Sequence, residues 1–349
     1  MEDSVQTVRE ADPILQIENL RTTFYTSSGT VQAVRGISYT VGKGEIVGIV
    51  GESGSGKSVS SMSILRLLPD TARIGEESAV LFEGEDLTKK TVKEMRAIRG
   101  EKIAMVFQDP MSSLNPLIPV GKQVEEMIAE HHKEISKEER KRQALALFEE
   151  VRIPEAEKRY NEYPHQFSGG MRQRVMIAMA LANHPDLLIA DEPTTALDVT
   201  IQDQILKQMR QLQKEWGTSI IFITHDLGVV AELCERVLVM YGGLIMEEAP
   251  IDALFEKPSH PYTLGLLASI PGINKDKADR LISIPGSPPD MTNPPKGCPF
   301  APRCPYARNI CAMEQPPYVE VDGGHRSMCW LLQPDAPDED NPFRKEAAE

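Results

Sequence analysis

The chain has 349 residues, of which 41 % are hydrophobic and 26 % are charged. This is the composition of a globular protein with room for one large domain and a smaller unit. No run of about 18 apolar residues occurs and the N-terminus is acidic, so we expect neither a membrane-spanning helix nor a secretory signal. With 38 Lys and Arg against 52 Asp and Glu, the net charge is −14, and we expect no nucleic-acid partner.

Hydrophobic patterns along the chain predict an α/β fold. Residues 14–50 alternate and then become continuously apolar, which predicts antiparallel strands leading into a buried parallel strand. Residues 109–185 have a helical pattern and are interpreted as an insertion, in which Ser136 and Glu139 have capping-box spacing. The apolar runs DLLIADE and SIIFITHD, separated by a helical segment, predict a return to the parallel sheet.

The composition changes beyond residue 250. Eight prolines between Pro285 and Pro305 prevent long regular elements there. We therefore expect an irregular extension over residues 251–333, which something other than a large core must hold in place. Residues 334–349 are acidic and nearly free of apolar side chains, so they are predicted to be a solvated tail.

A glycine-rich segment lies between a strand pattern and a helix pattern, which is the context of a phosphate-binding loop. Its glycines let successive N–H groups point at phosphate oxygens, and the following helix adds its positive end. Lys57 is predicted to reach the β- and γ-phosphates of ATP, and Ser58 to ligate Mg²⁺. An ordinary glycine turn is the alternative reading. The residues assigned to nucleotide binding here are Gly51, Ser53, Gly54, Ser55, Gly56, Lys57 and Ser58.

Two further strand ends carry polar residues. Asp191 and Glu192 follow a buried apolar run, where a carboxylate is costly unless it holds a metal or a proton. We expect Asp191 to hold Mg²⁺ and Glu192 to face the water that attacks the γ-phosphate. His225 follows the next strand, and the carboxyl ends of parallel strands share one edge, so it is placed near the same phosphate rather than in a purely structural role.

The segment FSGGMRQR, shortly before LLIADEPTTALD, resembles the signature of ATP-binding cassette (ABC) ATPases. The resemblance implies a P-loop fold with an antiparallel β subdomain and an inserted helical subdomain, over about residues 14–250. It also implies that Ser168, Gly169 and Gly170 bind the γ-phosphate held by a different nucleotide-binding domain. Met171 stands where the family usually has glutamine, and the phosphate-binding Ser and Gly residues remain.

The same resemblance assigns three more residues. Gln108 matches the glutamine that touches Mg²⁺ and the attacking water, and a groove near it receives a short helix from each permease. Phe24 matches the aromatic that stacks on adenine, with Tyr25 as the neighbouring candidate. Asp198, in the motif ALD, belongs to the nucleotide-binding set.

The motifs HPYTLGLLASIP, IPGSPPD and GCPFAPRC resemble the C-terminal extension of peptide importer ATPases. This resemblance implies an ATP-hydrolysing subunit that powers a dipeptide or oligopeptide importer, peripheral on the cytoplasmic face of the membrane. It implies three kinds of partner: a second ABC ATPase, expected to be a different homologous chain, two transmembrane permease subunits and an extracytoplasmic solute-binding protein. An importer of nickel or another small solute is the alternative within the subfamily.

Four cysteines, Cys298, Cys304, Cys311 and Cys329, lie in the proline-rich extension. Four thiols suit either Zn²⁺ or an iron–sulfur cluster, and no C-x-x-C pair is present. The resemblance favours a [4Fe–4S] cluster, with zinc as the alternative and free thiols or a disulfide as readings without metal. Cys234, in a helical pattern, is expected to be a small buried side chain.

Two other classes of protein share some of these features. A soluble cassette ATPase acting on ribosomes or in DNA repair has the same ATP site, but usually carries two cassettes, a coiled coil or a basic surface. A redox or metal sensor centred on the cysteines is the second alternative. In the transporter interpretation, residues before 250 carry ATP hydrolysis, and we expect the hydrolysis chemistry to survive loss of the cysteines.

Overall fold

The computed structural model describes residues 13–27, 29–195, 199–270 and 283–344. The strands in these ranges are β1 (Pro13–Thr26), β2 (Gly29–Gly42), β3 (Ile46–Val50), β4 (Ala72–Ile74), β5 (Ala79–Phe82), β6 (Glu85–Asp86), β7 (Ile103–Val106), β8 (Leu187–Asp191), β9 (Ser219–Thr224), β10 (Arg236–Tyr241), β11 (Leu244–Pro250), β12 (Val319–Asp322) and β13 (His325–Ser327).

The helices in the same ranges are α1 (Lys57–Ile64), α2 (Val92–Ile98), α3 (Pro110–Ser113), α4 (Val120–His131), α5 (Lys137–Glu150), α6 (Ala156–Arg159), α7 (Gly169–Leu181), α8 (Val199–Trp216), α9 (Leu227–Leu233), α10 (Ile251–Glu256), α11 (Pro261–Ala268) and α12 (Asn309–Met313). Among the described residues, no helix combines the length and apolar character needed to traverse a bilayer.

The larger sheet has the order β12-β13-β11-β10-β3-β9-β8-β7. Its centre is parallel, from β10 through β3, β9 and β8 to β7, and its β11 edge is antiparallel. Every residue of β3, β8 and β9 is buried. Parallel strands covered on both faces must be apolar throughout, which explains the continuous apolar runs in the sequence.

The two faces of this sheet belong to different cores. Alternate residues such as Val47, Ile49 and Ile221 pack in one core with the antiparallel sheet, whose strands run β2-β1-β5-β6 with β4 beside β1. Residues of the other face, such as Ile220 and Phe222, pack with the apolar sides of α4, α5, α7 and α8. Side chains alternate across a strand, so each strand contributes to both cores.

The C-terminal extension is attached to the β11 edge of the larger sheet. The ribbon of β12 and β13 continues the sheet through antiparallel pairing of β13 with β11. At this junction the buried Glu247 carboxylate accepts hydrogen bonds from the Ser259 N–H at 2.6 Å and pairs with His325 Nε2 at 2.8 Å. The extension therefore consists of short elements, as its prolines predict, and it is anchored by sheet pairing and by the buried contact of Glu247 with His325.

The acidic tail differs in part from its prediction as a solvated segment. Asn341 is fully buried, and its side chain donates a hydrogen bond to the Leu331 carbonyl at 2.9 Å. Arg344 donates to the carbonyls of Gln333 and Pro334. Residues up to 344 thus fold back on the extension, and residues 345–349 lie outside the described ranges.

We predict that Glu247→Ala loosens the extension, because it leaves His325 and the Ser259 N–H without their buried partner. A buried group left without its hydrogen-bond partner costs about 1–3 kcal/mol. Amide hydrogen exchange of β12 and β13 in the full-length protein should accelerate accordingly. The matched control is Glu320→Ala, an exposed carboxylate on β12; equal exchange in the two variants would contradict the anchoring role.

Candidate functional site

The glycine-rich segment forms the loop between β3 and α1, so it lies at the carboxyl end of the central strand. Helix α1 begins at Lys57, and Gly56 precedes it in the left-handed region with φ 102°. A Cβ at Gly56 would lie 2.5 Å from the Ala33 carbonyl oxygen, and one at Gly51 would collide with the Met240 carbonyl. Glycine is thus required where the loop passes close to β2 and β10.

Lys57 lies inside this loop. Its ammonium donates to the carbonyl of Gly51 at 2.7 Å and to that of Glu52 at 3.0 Å, and the residue is 5 % exposed. Burial lowers the pKa of Lys57, and the charges of Glu192 and Asp191 oppose that shift. A buried ammonium with only carbonyl ligands has unused capacity to neutralise a phosphate.

Ser58 and Asp191 meet beside Lys57. The Ser58 hydroxyl donates to the Asp191 carboxylate at 3.0 Å, and Asp191 is 4 % exposed. Burial raises the pKa of Asp191, while the Ser58 hydrogen bond and the Lys57 charge act in the opposite direction. A hydroxyl and a carboxylate in contact are hard oxygen ligands, so this pair fits Mg²⁺.

Glu192 is the centre of a polar cluster. Its carboxylate accepts from Gln108 Nε2 at 3.0 Å and from the Thr195 hydroxyl at 2.8 Å, and His225 Nδ1 lies 3.5 Å away. The backbone of Glu192 has φ 46°, in the left-handed region that is uncommon for side-chain-bearing residues. The three residues predicted to be catalytic, Gln108, Glu192 and His225, therefore lie together. Thr195 was not predicted, because a threonine after a strand carries no distinctive pattern.

An open cleft of 610 Å³ joins the loop to this cluster. One side of the cleft consists of residues that were predicted to bind nucleotide or to be catalytic. The other side consists of residues of the extension, and the sequence analysis did not predict that the extension lines this cleft. Its lining residues are Gly51, Glu52, Ser53, Gln108, Glu192, His225, Leu266, Ser269, Ser283 and Ile284.

The predicted signature residues and Phe24 are not part of the cleft lining. Ser168 caps α7 by accepting from the Met171 N–H at 3.3 Å, and it and Gly169 are exposed, with Gly170 half-buried. Phe24 lies half-buried on β1, two residues after Thr22, whose hydroxyl bonds Ser63 of α1. Asp198 lies outside the described residues.

The four cysteines of the extension line one small cavity of 20 Å³, together with His260 and Phe300. All four are free thiols. Burial raises the pKa of Cys298 to about 12 and that of Cys304 to about 11. In this arrangement no group of three or more His, Cys, Asp or Glu side chains among the described residues is placed to hold a metal ion. The cysteines share a cavity, as a common site requires, and metal binding stays a prediction.

A groove of 500 Å³, distinct from the cleft and from the cysteine cavity, lies between the sheet edge at β7 and helices α4 and α7. Its lining is mainly apolar, and Phe107, which precedes Gln108, forms part of it. We call it the methionine groove after four of its lining residues, Met105, Met127, Met176 and Met179.

Comparison with known proteins agrees with this geometry. A family profile described as ABC transporter matches residues 34–195, and one described as oligopeptide/dipeptide transporter, C-terminal region, matches residues 246–311. The oligopeptide transport ATP-binding protein OppD of Bacillus subtilis (strain 168) is 55 % identical over 93 % of this chain and 90 % of its own length. The chain belongs to the ATP-binding proteins of ABC transporters.

Two further comparisons extend this assignment. The dipeptide transport ATP-binding protein DppD of Lactococcus lactis subsp. cremoris (strain MG1363) is 50 % identical to this ABC protein over 93 % of both chains. A solved ATP-binding cassette, dimeric in a post-hydrolysis state with ADP and Pi, is 31 % identical with a TM-score of 0.62, covering 68 % of this chain and 98 % of its own. The predicted P-loop fold of ABC type is confirmed, and so is an ATPase that uses ATP and Mg²⁺ and couples hydrolysis to transport.

We predict that Gly56→Ala destabilises the nucleotide-free ABC protein more than Gly54→Ala does. Both glycines have positive φ, but only at Gly56 would the added Cβ meet backbone; at Gly54 nothing lies within 4 Å. The expected loss in free energy of unfolding is about 1 kcal/mol for Gly54→Ala and about 2–4 kcal/mol for Gly56→Ala. Urea unfolding without nucleotide measures both, and equal losses would contradict the close approach to Ala33.

Proposed function

We propose that this chain hydrolyses ATP to power import of dipeptides or oligopeptides. The observation that carries the proposal is that the likeness to oligopeptide and dipeptide transport ATP-binding proteins runs through the C-terminal extension as well as the ATP site. The chain then consists of an ABC domain over residues 14–250, with a helical subdomain at about 109–185, an extension over 251–333 and an acidic tail. Its location is the cytoplasmic face of the cell membrane, as a peripheral subunit.

The proposed chemistry assigns one task to each polar group at the strand ends. Lys57 and the N–H groups of residues 53–58 bind the phosphates, and Phe24 stacks on adenine. Ser58, Asp191 and Gln108 hold Mg²⁺, which when bound offsets charge on the β- and γ-phosphates. Glu192 accepts a proton from the attacking water, and His225 contacts the γ-phosphate.

The support for Glu192 as the base is its surroundings. Gln108 and Thr195 donate hydrogen bonds to one carboxylate oxygen, and His225 Nδ1 lies 3.5 Å from the other. A base held in this way is oriented before substrate binds, so less reorganisation is needed at the moment of reaction.

We infer that two ATPase domains close around ATP in the working complex. Gly169 is exposed at the start of α7, and a Cβ there would meet nothing within 4 Å, so the signature backbone is open to a ligand from outside. The helix of 13 residues directs its positive end at that position. The dimeric state of the similar solved cassette supports this arrangement. Asp198 is proposed to act in the same composite site.

The methionine groove is the proposed docking surface for a permease helix. It is apolar and lies beside Gln108, so a helix seated there is close to the residue proposed to sense Mg²⁺ and the attacking water. The proposed assembly contains a second ATPase chain, two permease subunits and an extracytoplasmic solute-binding protein.

We predict that Glu192→Gln keeps ATP binding and lowers turnover by about 10²–10⁴-fold, because the amide cannot accept the proton of water. ATP hydrolysis by the assembled transporter and ATP binding by the full-length chain are the two measurements. Glu138→Gln, an exposed carboxylate on α5, is the control and should hydrolyse normally. ATP hydrolysis at the wild-type rate in Glu192→Gln would contradict the assignment of Glu192 as the general base.

The four cysteines are proposed to hold a [4Fe–4S] cluster, with zinc as the alternative. They share one cavity, three of them are buried and Cys304 is half-buried, and the surrounding chain has little regular structure. Binding would draw the thiols closer and deprotonate them, and in a segment with few elements of its own it would contribute directly to folding.

We predict that the anaerobically purified full-length protein contains iron and inorganic sulfide, and that Cys304→Ser loses both. Cys234→Ala is the control, because Cys234 is also a free thiol but lies outside the cavity. Stoichiometric zinc without sulfide would support the alternative metal. A wild-type protein with no metal at all would show that the cavity holds only thiols.

A further inference from the structure

One residue of the phosphate loop, Glu52, is held by the part of the chain after residue 250. Its backbone N–H donates to the Tyr262 hydroxyl at 2.9 Å, and Tyr262 belongs to α11. Its carboxylate accepts two hydrogen bonds from Arg303, at 2.6 and 3.1 Å, and Arg303 ends the short helical turn Ala301–Arg303. Backbone and side chain of the same loop residue are thus fixed from outside the ATP-binding motifs.

The guanidinium of Arg303 has every donor engaged. Besides the two bonds to Glu52, it donates to the Tyr241 hydroxyl at 3.1 Å and to the carbonyls of Ile284 at 3.0 Å and Pro285 at 2.9 Å. A guanidinium has five N–H donors, and these contacts use all five. Its side chain is 6 % exposed. A fully satisfied, buried guanidinium has one orientation, so it fixes the orientation of Glu52.

The charge on Glu52 is a difficulty for nucleotide binding. Glu52 lines the cleft between Gly51 and Ser53, where the phosphates of ATP are expected. An unpaired carboxylate there would repel the β- and γ-phosphates. The bidentate contact with Arg303 cancels that charge and turns both carboxylate oxygens toward the extension.

We propose that Arg303 is a positioning residue for ATP: it neutralises and orients Glu52, so the affinity of the phosphate loop for ATP depends on the folded extension. The inference rests on the proposed role of residues 51–58 in binding ATP. Arg303 acts through Glu52 and is assigned no contact with the nucleotide.

The same contacts place the cysteine cavity close to the loop. Arg303 is followed directly by Cys304, and Phe300, which lines the cavity, packs against Tyr262 with ring centroids 5.2 Å apart. A structural change in the cavity would therefore act on Glu52 through Arg303, which adjoins Cys304, and through Tyr262, which packs against Phe300. Hydrolysis chemistry stays with the residues before 250, while ATP affinity acquires a dependence on the extension.

The test compares full-length wild type with Arg303→Ala, Glu52→Gln and the double variant. Binding of ATP with Mg²⁺ is measured by calorimetry, and KM and kcat by hydrolysis in the assembled transporter. Arg303→Ala should raise Kd and KM about five- to tenfold with kcat within about twofold, because the exposed carboxylate acts on binding. The double variant should bind ATP with a Kd within about twofold of wild type, because neither charge of the pair is then left beside the phosphates.

Arg326→Ala is the matched control. Arg326 also ties the extension to the ATPase, through Glu248 at 2.7 Å and the Ser38 carbonyl at 2.7 Å, but it does not touch the phosphate loop. It should leave Kd unchanged, and Arg303→Lys, which keeps the charge, should lie nearer to wild type than Arg303→Ala. A rise in Kd for Arg326→Ala as large as that for Arg303→Ala, or a double variant that binds ATP as weakly as Arg303→Ala alone, would overturn the proposal.

Glu52→Gln alone keeps the proposal testable if Arg303→Ala fails to fold. It should lower Kd about threefold, since the positive charge of Arg303 then stands without its counter-charge beside the phosphates. Weaker binding in Glu52→Gln would refute the electrostatic argument. Lys57→Ala separates this inference from the proposed function: if Lys57→Ala still binds ATP normally, the assignment of the loop is wrong, whatever Arg303 does.

Discussion

The site depends on the buried contact between the Lys57 ammonium and the carbonyls of the phosphate loop. This ammonium lies among the loop carbonyls at the end of β3, within the influence of the carboxylates that end β8. A buried ammonium is costly unless negative groups lie near it. Asp191 and Glu192 lie near Lys57 because parallel strands present their carboxyl ends at the same edge of the sheet. The loop, Ser58, Asp191 and Glu192 are thus brought together by the register of β3, β9 and β8.

The extension is joined to this arrangement at two places. At the β11 edge, sheet pairing and the buried pair of Glu247 with His325 anchor it. At the phosphate loop, Tyr262 and Arg303 hold Glu52. The aromatic rings of Tyr241, Tyr262 and Phe300 fill the space between the loop and the cysteine cavity. The extension is therefore more than a separate unit, because its residues form part of the wall of the cleft.

The sequence analysis correctly predicted features that depend on residues close together in the chain. The strand, glycine loop and helix around Lys57 are encoded within some twenty consecutive residues, and α1 begins where the pattern indicates. The capping box at Ser136 forms only by half: Ser136 accepts from the Glu139 N–H, but the Glu139 side chain pairs with Arg142. The contact of Glu52 with Arg303 spans 251 positions, and no periodicity encodes it. The φ of Glu192 and the burial of Asn341 likewise arise from tertiary packing.

The ribbon of β12 and β13 also has a consequence for self-association. Without it, β11 would be the edge strand of the sheet, with unpaired backbone groups open to pairing with the same edge of another copy. The ribbon replaces that edge with β12, a strand of four residues in which Glu320 and Asp322 alternate with valines. Short, acidic edge strands resist such pairing. The extension thus leaves the sheet with a short, acidic edge strand in place of β11.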